Sequence, residues 1–89
     1  MQAHVFISGA VQGVGFRQFV RNNAQKLGLT GWVRNAEDGG VEAVLQGDEE
    51  AINKMIAICK EGSMLSVVKQ VGFEWEETTN TFTEFTIQL

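Results

Sequence analysis

Ile7-Ser8-Gly9-Ala10-Val11-Gln12-Gly13-Val14-Gly15-Phe16-Arg17 is the stretch from which the fold is read. A short apolar run ends at Ile7, three glycines follow within seven residues, and Phe16-Arg17 opens a helical pattern. The expectation is a strand, a glycine-rich loop and a helix start. Glycine reaches positive φ without steric cost, so such a loop can turn successive backbone N–H groups into one concavity. The helix adds unpaired N–H groups and the positive end of its dipole, and the fitting tenant is an anion such as phosphate. Arg17, at the helix start, carries a planar guanidinium that can fork onto phosphate oxygens. The stretch is not the dinucleotide fingerprint, because Gln18 stands where a third glycine is needed. It is not a Walker A loop, because no Gly-Lys-Ser/Thr follows. A tight strand-to-helix turn, with glycines for packing only, remains open at this point.

Outward from the loop, the hydrophobic period assigns the other elements. Ala3, Val5 and Ile7 alternate with His4, Phe6 and Ser8, as in a strand. Apolar residues at 16, 19, 20, 24 and 27 form a helical stripe that Gly28 can stop. Leu29 to Arg34 reads as a short strand, residues 35–40 as a turn, and Val41, Ala43 and Leu45 as the inward face of a hairpin partner. Asp48 suits an N-cap, followed by Glu49 and Glu50 in the first turn of a second helix. Its stripe is Ile52, Met55, Ile56 and Cys59, and Lys60 and Gly62 close it. Val71, Phe73 and Trp75 alternate in a fourth strand. A polar turn at 77–81 and a last strand through Phe85, Ile87 and Leu89 follow. The order β-α-β-β-α-β plus a terminal strand predicts an α+β, ferredoxin-like α/β sandwich, with two helices on one face of an antiparallel sheet.

Length and composition narrow the function classes. Eighty-nine residues form one domain, 1–89, burying roughly 60–65% of the unfolded surface. No apolar run approaches the ~20 residues of a membrane span, and no leader pattern is present. The expectation is a cytoplasmic monomer without membrane contact. One cysteine cannot make an internal disulfide, and no Cys/His cluster offers a metal site, so neither metal nor cofactor is expected. Residues 1–36 carry four cations and no acid, whereas residues 37–89 carry three lysines and all eleven acids. The net charge of −4 disfavours nucleic acid as a partner, while the positive first third can attract a small anion.

A second stretch, Gly31-Trp32-Val33-Arg34-Asn35-Ala36-Glu37-Asp38-Gly39-Gly40-Val41-Glu42-Ala43-Val44-Leu45-Gln46-Gly47, sharpens the reading. With the first, it closely resembles the acylphosphatases, small enzymes that hydrolyse acyl phosphates. That family's first motif is an aliphatic residue, Gly, then Val-Gln-Gly-Val-x-Phe-Arg. It is matched by Ile7, Gly9, Val11, Gln12, Gly13, Val14, Phe16 and Arg17. The second motif is matched by Gly31, Trp32, Val33, Asn35, Gly39, Val41 and Gly47. The resemblance implies the same sandwich, with the terminal strand lengthening one edge of the sheet. It implies that Arg17 binds the substrate phosphate with the loop of Gln12, Gly13, Val14, Gly15 and Phe16, and that Asn35 orients the attacking water. Substrate and product would be a small acyl phosphate and inorganic phosphate. A similar domain occurs in large maturation factors that handle carbamoyl groups, so a non-catalytic acyl or carbamoyl phosphate-binding module is the alternative. The departures lie elsewhere. Gly62-Ser63-Met64 stands where relatives often carry proline, and Leu89 where they often carry a basic or aromatic residue.

The remaining candidates read as structural. His4, the only histidine, is expected on a solvated strand face without the orienting partner that a nucleophile pair needs. Cys59 lies on an apolar helix stripe, where a free cysteine behaves as a small hydrophobe. Glu49, Glu50, Glu74, Glu76 and Glu77 read as caps and solvated faces. The missing acids and bases fit the implied reaction. An acyl phosphate leaves as a carboxylate, whose conjugate acid has a pKa of about 4 to 5 by analogy with side-chain carboxyls. That group departs at neutral pH without a general acid. Phosphoryl transfer then rests on positioning and electrostatics.

Overall fold

A computed structural model of the chain describes residues 1–78 and 80–89. The elements are β1 (Gln2–Ala10), α1 (Phe16–Lys26), β2 (Thr30–Asn35), β3 (Val41–Gln46), α2 (Glu49–Glu61), β4 (Val67–Glu76) and β5 (Phe85–Ile87). The strand order is β4-β1-β3-β2-β5. Each helix connects two parallel strands separated by a third, the split β-α-β plan of the ferredoxin-like fold. The first four strands pair antiparallel, as expected. The terminal strand lengthens the β2 edge but runs parallel to it, with Gly31 opposite Phe85 and Val33 opposite Ile87, so the sheet is mixed. The expected polar turn at 77–81 includes Thr79, which lies outside the described residues.

The alternation along the strands divides the sheet into a covered and an open face. Ala3, Val5 and Ile7 of β1 register with Leu45, Ala43 and Val41 of β3, and all six are buried. Val20 and Ala24 of α1 and Ile52, Met55, Ile56 and Cys59 of α2 close over them as the periodicity predicts. The α1 stop is a Schellman arrangement. Gly28, at φ 72°, lets the Leu29 N–H reach the Ala24 carbonyl at 2.9 Å, and buried Leu29 seals the end. Asp48 occupies the α2 N-cap position, although its side chain makes no capping hydrogen bond.

Two apolar positions of β4 depart from the expected burial. Phe73 and Trp75 share the face of Val5 and Ala3, yet they remain 40% and 42% exposed. β4 is an edge strand, and only its Val68 and Val71 pack against the core. The two rings instead meet edge to face, 5.7 Å between centroids.

His4 departs too. It is half-buried on the open face, with Nε2 2.5 Å from Glu42 and Nδ1 3.1 Å from Glu76. Its ring stacks on Phe6, 4.5 Å away, and meets the edge of Trp32. Arg34 lies over Trp32 and donates from Nε to Glu42 at 2.9 Å. Glu76 also accepts from Gln2, so it is more than a solvated acid. These contacts depend on the β1–β3 and β1–β4 registers, which place Glu42 diagonally across from His4 and Glu76 opposite Gln2. Partial burial pushes the Glu42 carboxyl up. The hydrogen bonds from Arg34 and His4 and the Arg34 charge outweigh it and hold the group below the usual carboxylate range.

Candidate active site

The loop between β1 and α1 is built from alternating anchors and free positions. Val11 and Phe16 are buried and Val14 packs against the core, while Gln12, Gly13 and Gly15 face outward. Burying side chains of this size stabilises by about 1.5–3 kcal/mol each, enough to hold an otherwise open turn in one shape. Gly13 and Gly15 sit at φ 74° and 75°, in the left-handed region where a side chain is strained. Gly15 is also the α1 N-cap, and its carbonyl accepts from Phe19 N–H at 3.1 Å. No acid occupies the first turn of α1 and no side chain caps it. Among the described residues, the backbone N–H groups of residues 13–18 have no protein partner. A run of unpaired donors at a helix N-terminus is an anion-binding arrangement.

An open cleft of about 330 Å³ lies against this loop. Gly13, Gly15 and Arg17 border it from the loop and α1, Asn35 from the end of β2, and Ile87 and Leu89 from the chain's last residues. Arg17 donates from Nη1 to the Gln88 carbonyl at 3.1 Å, which fixes the guanidinium on the cleft wall. Gln88 in turn donates its N–H to the Val33 carbonyl at 2.8 Å, two residues before Asn35. Asn35 pairs with Val41 at the mouth of the β2–β3 hairpin and is exposed. Among the described residues its side chain makes no hydrogen bond, unlike those of Gln12 and Arg17.

The two residues expected to act together, Arg17 and Asn35, thus border one cleft, together with Gly13, Gly15 and Phe16 of the expected loop. Val14 and Phe16 serve mainly as anchors through their side chains. The Gln12 side chain does not border the cleft; it reaches to the Ala36 and Gly40 carbonyls. Ile87, Gln88 and Leu89 were not foreseen as neighbours of the site. Their signal would have been the parallel pairing of β5 with β2, and a three-residue strand carries no sequence mark of its partner.

His4 and Cys59 stand in different parts of the fold. His4 is on the open face, whereas Cys59 is buried under α2, where desolvation pushes its thiol up to about 12. No reactive thiolate is available there.

The acylphosphatase family model matches residues 3–87. An acylphosphatase of Roseiflexus sp. (strain RS-1) is 49% identical over 86 residues, covering 97% of this chain and 92% of its own. The crystal structure of acylphosphatase from Bacillus subtilis superposes with a TM-score of 0.95 at 36% identity, covering 99% of this chain and 98% of that one. HypF of T. kodakarensis contains a similar unit. The match has a TM-score of 0.85 at 31% identity and covers 99% of this chain but 12% of HypF.

Proposed function

The chain belongs to the acylphosphatase family and hydrolyses the carboxyl–phosphate anhydride of acyl phosphates, and from that premise we propose how its residues do so. The N–H groups of residues 12–16 and the Arg17 guanidinium hold the phosphoryl oxygens. Asn35 holds a water for in-line attack on phosphorus. The P–O bond to the acyl group breaks, the acyl oxygen leaves as a carboxylate, the attacking water's proton passes to a phosphoryl oxygen, and inorganic phosphate remains on the loop. The negative charge spread over the phosphoryl oxygens meets donors already fixed in place, so little reorganisation accompanies the reaction. The observation that carries this reading is the juxtaposition in one cleft of the unpaired loop donors, Arg17 and Asn35. A single copy of the chain supplies all of these groups, which supports a monomer acting on small acyl phosphates without nucleic acid. The one cysteine, buried and unpaired, fits a cytoplasmic enzyme.

Turnover of benzoyl phosphate in ¹⁸O-water tests the assignment. Release of unlabelled benzoate and singly labelled phosphate is expected. Label in the benzoate would place attack at carbon and remove the role given to Asn35. The likeness to a unit of HypF keeps a binding module as the second reading. Binding of inorganic phosphate with no turnover would select it.

A further inference from the structure

The Gln12 side chain joins the two halves of the cleft. Its Nε2 donates to the Ala36 carbonyl at 2.9 Å and to the Gly40 carbonyl at 2.8 Å. Two carbonyl acceptors require the amide's two hydrogens, so a carboxylate or a thioether of the same length cannot replace it. Both carbonyls are already used within the hairpin turn. Gly39 N–H donates to Ala36 at 3.2 Å, and Ala36 N–H donates to Gly40 at 2.9 Å. Gln12 takes the second lone pair of each. The turn is otherwise internally braced, with Asp38 accepting from Gly40 N–H at 2.9 Å. It also lies on β1, because a side chain at Gly40 would collide with the Ile7 carbonyl. One end of this turn is Asn35.

We infer that Gln12 is a positioning residue, whose side chain sets the Asn35 amide relative to the anion loop by tying residue 12 to the carbonyls of residues 36 and 40. Resting on the acylphosphatase reading above, this role separates two functions within one loop residue. The backbone of Gln12 belongs to the phosphate cradle, and its side chain belongs to the water-holding arm. Displacement of a positioned group by about 1 Å costs on the order of a hundredfold in rate. Released from its tie, the braced hairpin turn would shift as one piece against the loop, carrying Asn35 with it while leaving the phosphate donors in place.

The test compares wild type with Gln12→Met, which keeps length without donors, and Gln12→Glu, which presents acceptors to acceptors. For both variants kcat on benzoyl phosphate should fall by about tenfold or more. Competitive inhibition by inorganic phosphate should stay within about twofold of wild type. Because Gln12 is exposed, urea midpoints should barely move. Inorganic phosphate titrated into ¹⁵N-labelled protein gives a readout independent of turnover. In wild type the Asn35 side-chain amide and the backbone amides of residues 36–40 should shift together with those of the loop. In Gln12→Met the response should be confined to the loop. Wild-type kcat in Gln12→Met, or parallel loss of kcat and phosphate affinity, would overturn the inference. So would an unchanged NMR response at Asn35. A wild-type protein that shows the coupled shifts but no turnover would sink the hydrolase reading and leave the tie standing.

Discussion

The open-face cluster around His4 brings Glu42, Glu76 and Arg34 into one hydrogen-bonded group, whereas among the described residues the loop cleft is bordered by one ionisable side chain, Arg17. A search for catalysis by titratable groups alone would stop at the first. Its carboxylates are engaged by His4, Arg34 and Gln2, and its ring is stacked on Phe6. The cleft is the reverse: among the described residues its loop N–H groups and the Asn35 amide have no internal partner, and Arg17 is fixed by the Gln88 carbonyl. The difference follows from the bond being broken. A carboxylate leaving group needs no proton, so the site needs placed dipoles rather than tuned pKa values. The cluster is a cross-strand brace, and its effect should appear in stability.

The sharpest way to break this contrast is Asn35→Ala. Removing the proposed water-holding amide should cost on the order of 2.7–4 kcal/mol in the barrier. Phosphate inhibition should be kept. Retention of more than about a tenth of wild-type kcat would end the assigned role. Arg17→Lys comes next. Charge is preserved but the planar fork is lost, so kcat/KM and phosphate inhibition should weaken together. Stability should stay within about 0.5 kcal/mol by urea melts. An active, phosphate-sensitive lysine variant would move the anion site elsewhere.

The brace is probed through Glu42→Gln. Carboxylates accepting from charged donors contribute about 1.5–3 kcal/mol, so the variant should lose stability of this order at neutral pH and keep its kcat. Glu42 and Glu76 both have folded pKa values held below their ordinary 4.5. For Glu76 the Gln2 hydrogen bond is the leading cause. A lowered folded value adds stability above pH 4.5 that is lost as the pH falls through the lowered value. Urea midpoints of wild type should therefore drop on acidification below pH 4.5, and Glu42→Gln should drop less. Equal acid sensitivity would deny the brace its electrostatic part. The smallest effect is expected at Cys59, whose buried thiol should react with a disulfide reagent only as fast as the protein unfolds.

Much of the architecture was legible because it depends on local pattern. The stripe from Phe16 to Leu27, the Gly28 stop and the alternation of β1 and β3 are dictated by periods of 3.6 and 2. Gly13 and Gly15 were legible as positive-φ positions, and Arg17 and Asn35 through two motifs of fixed spacing. What stayed hidden is set by pairing between distant segments. The direction of β5, and with it the place of Ile87 and Leu89 beside the cleft, depends on which edge accepts three residues. The partial exposure of Phe73 and Trp75 follows from β4 being outermost. The Gln12 tie spans residues far apart in sequence, and the His4 brace needs two strand registers at once. Side chains whose partners are chosen by register carry no sequence signal of their own.

The most direct test of catalysis without a titrating side chain is the pH dependence of kcat for benzoyl phosphate, measured for wild type beside His4→Gln. The range of interest is about pH 5.5 to 8, where an ordinary histidine changes charge. Placed donors and a held water predict superimposable profiles, any inflection from the substrate appearing equally in both. An inflection present in wild type and missing from His4→Gln would contradict this and carry the chemistry to the open face.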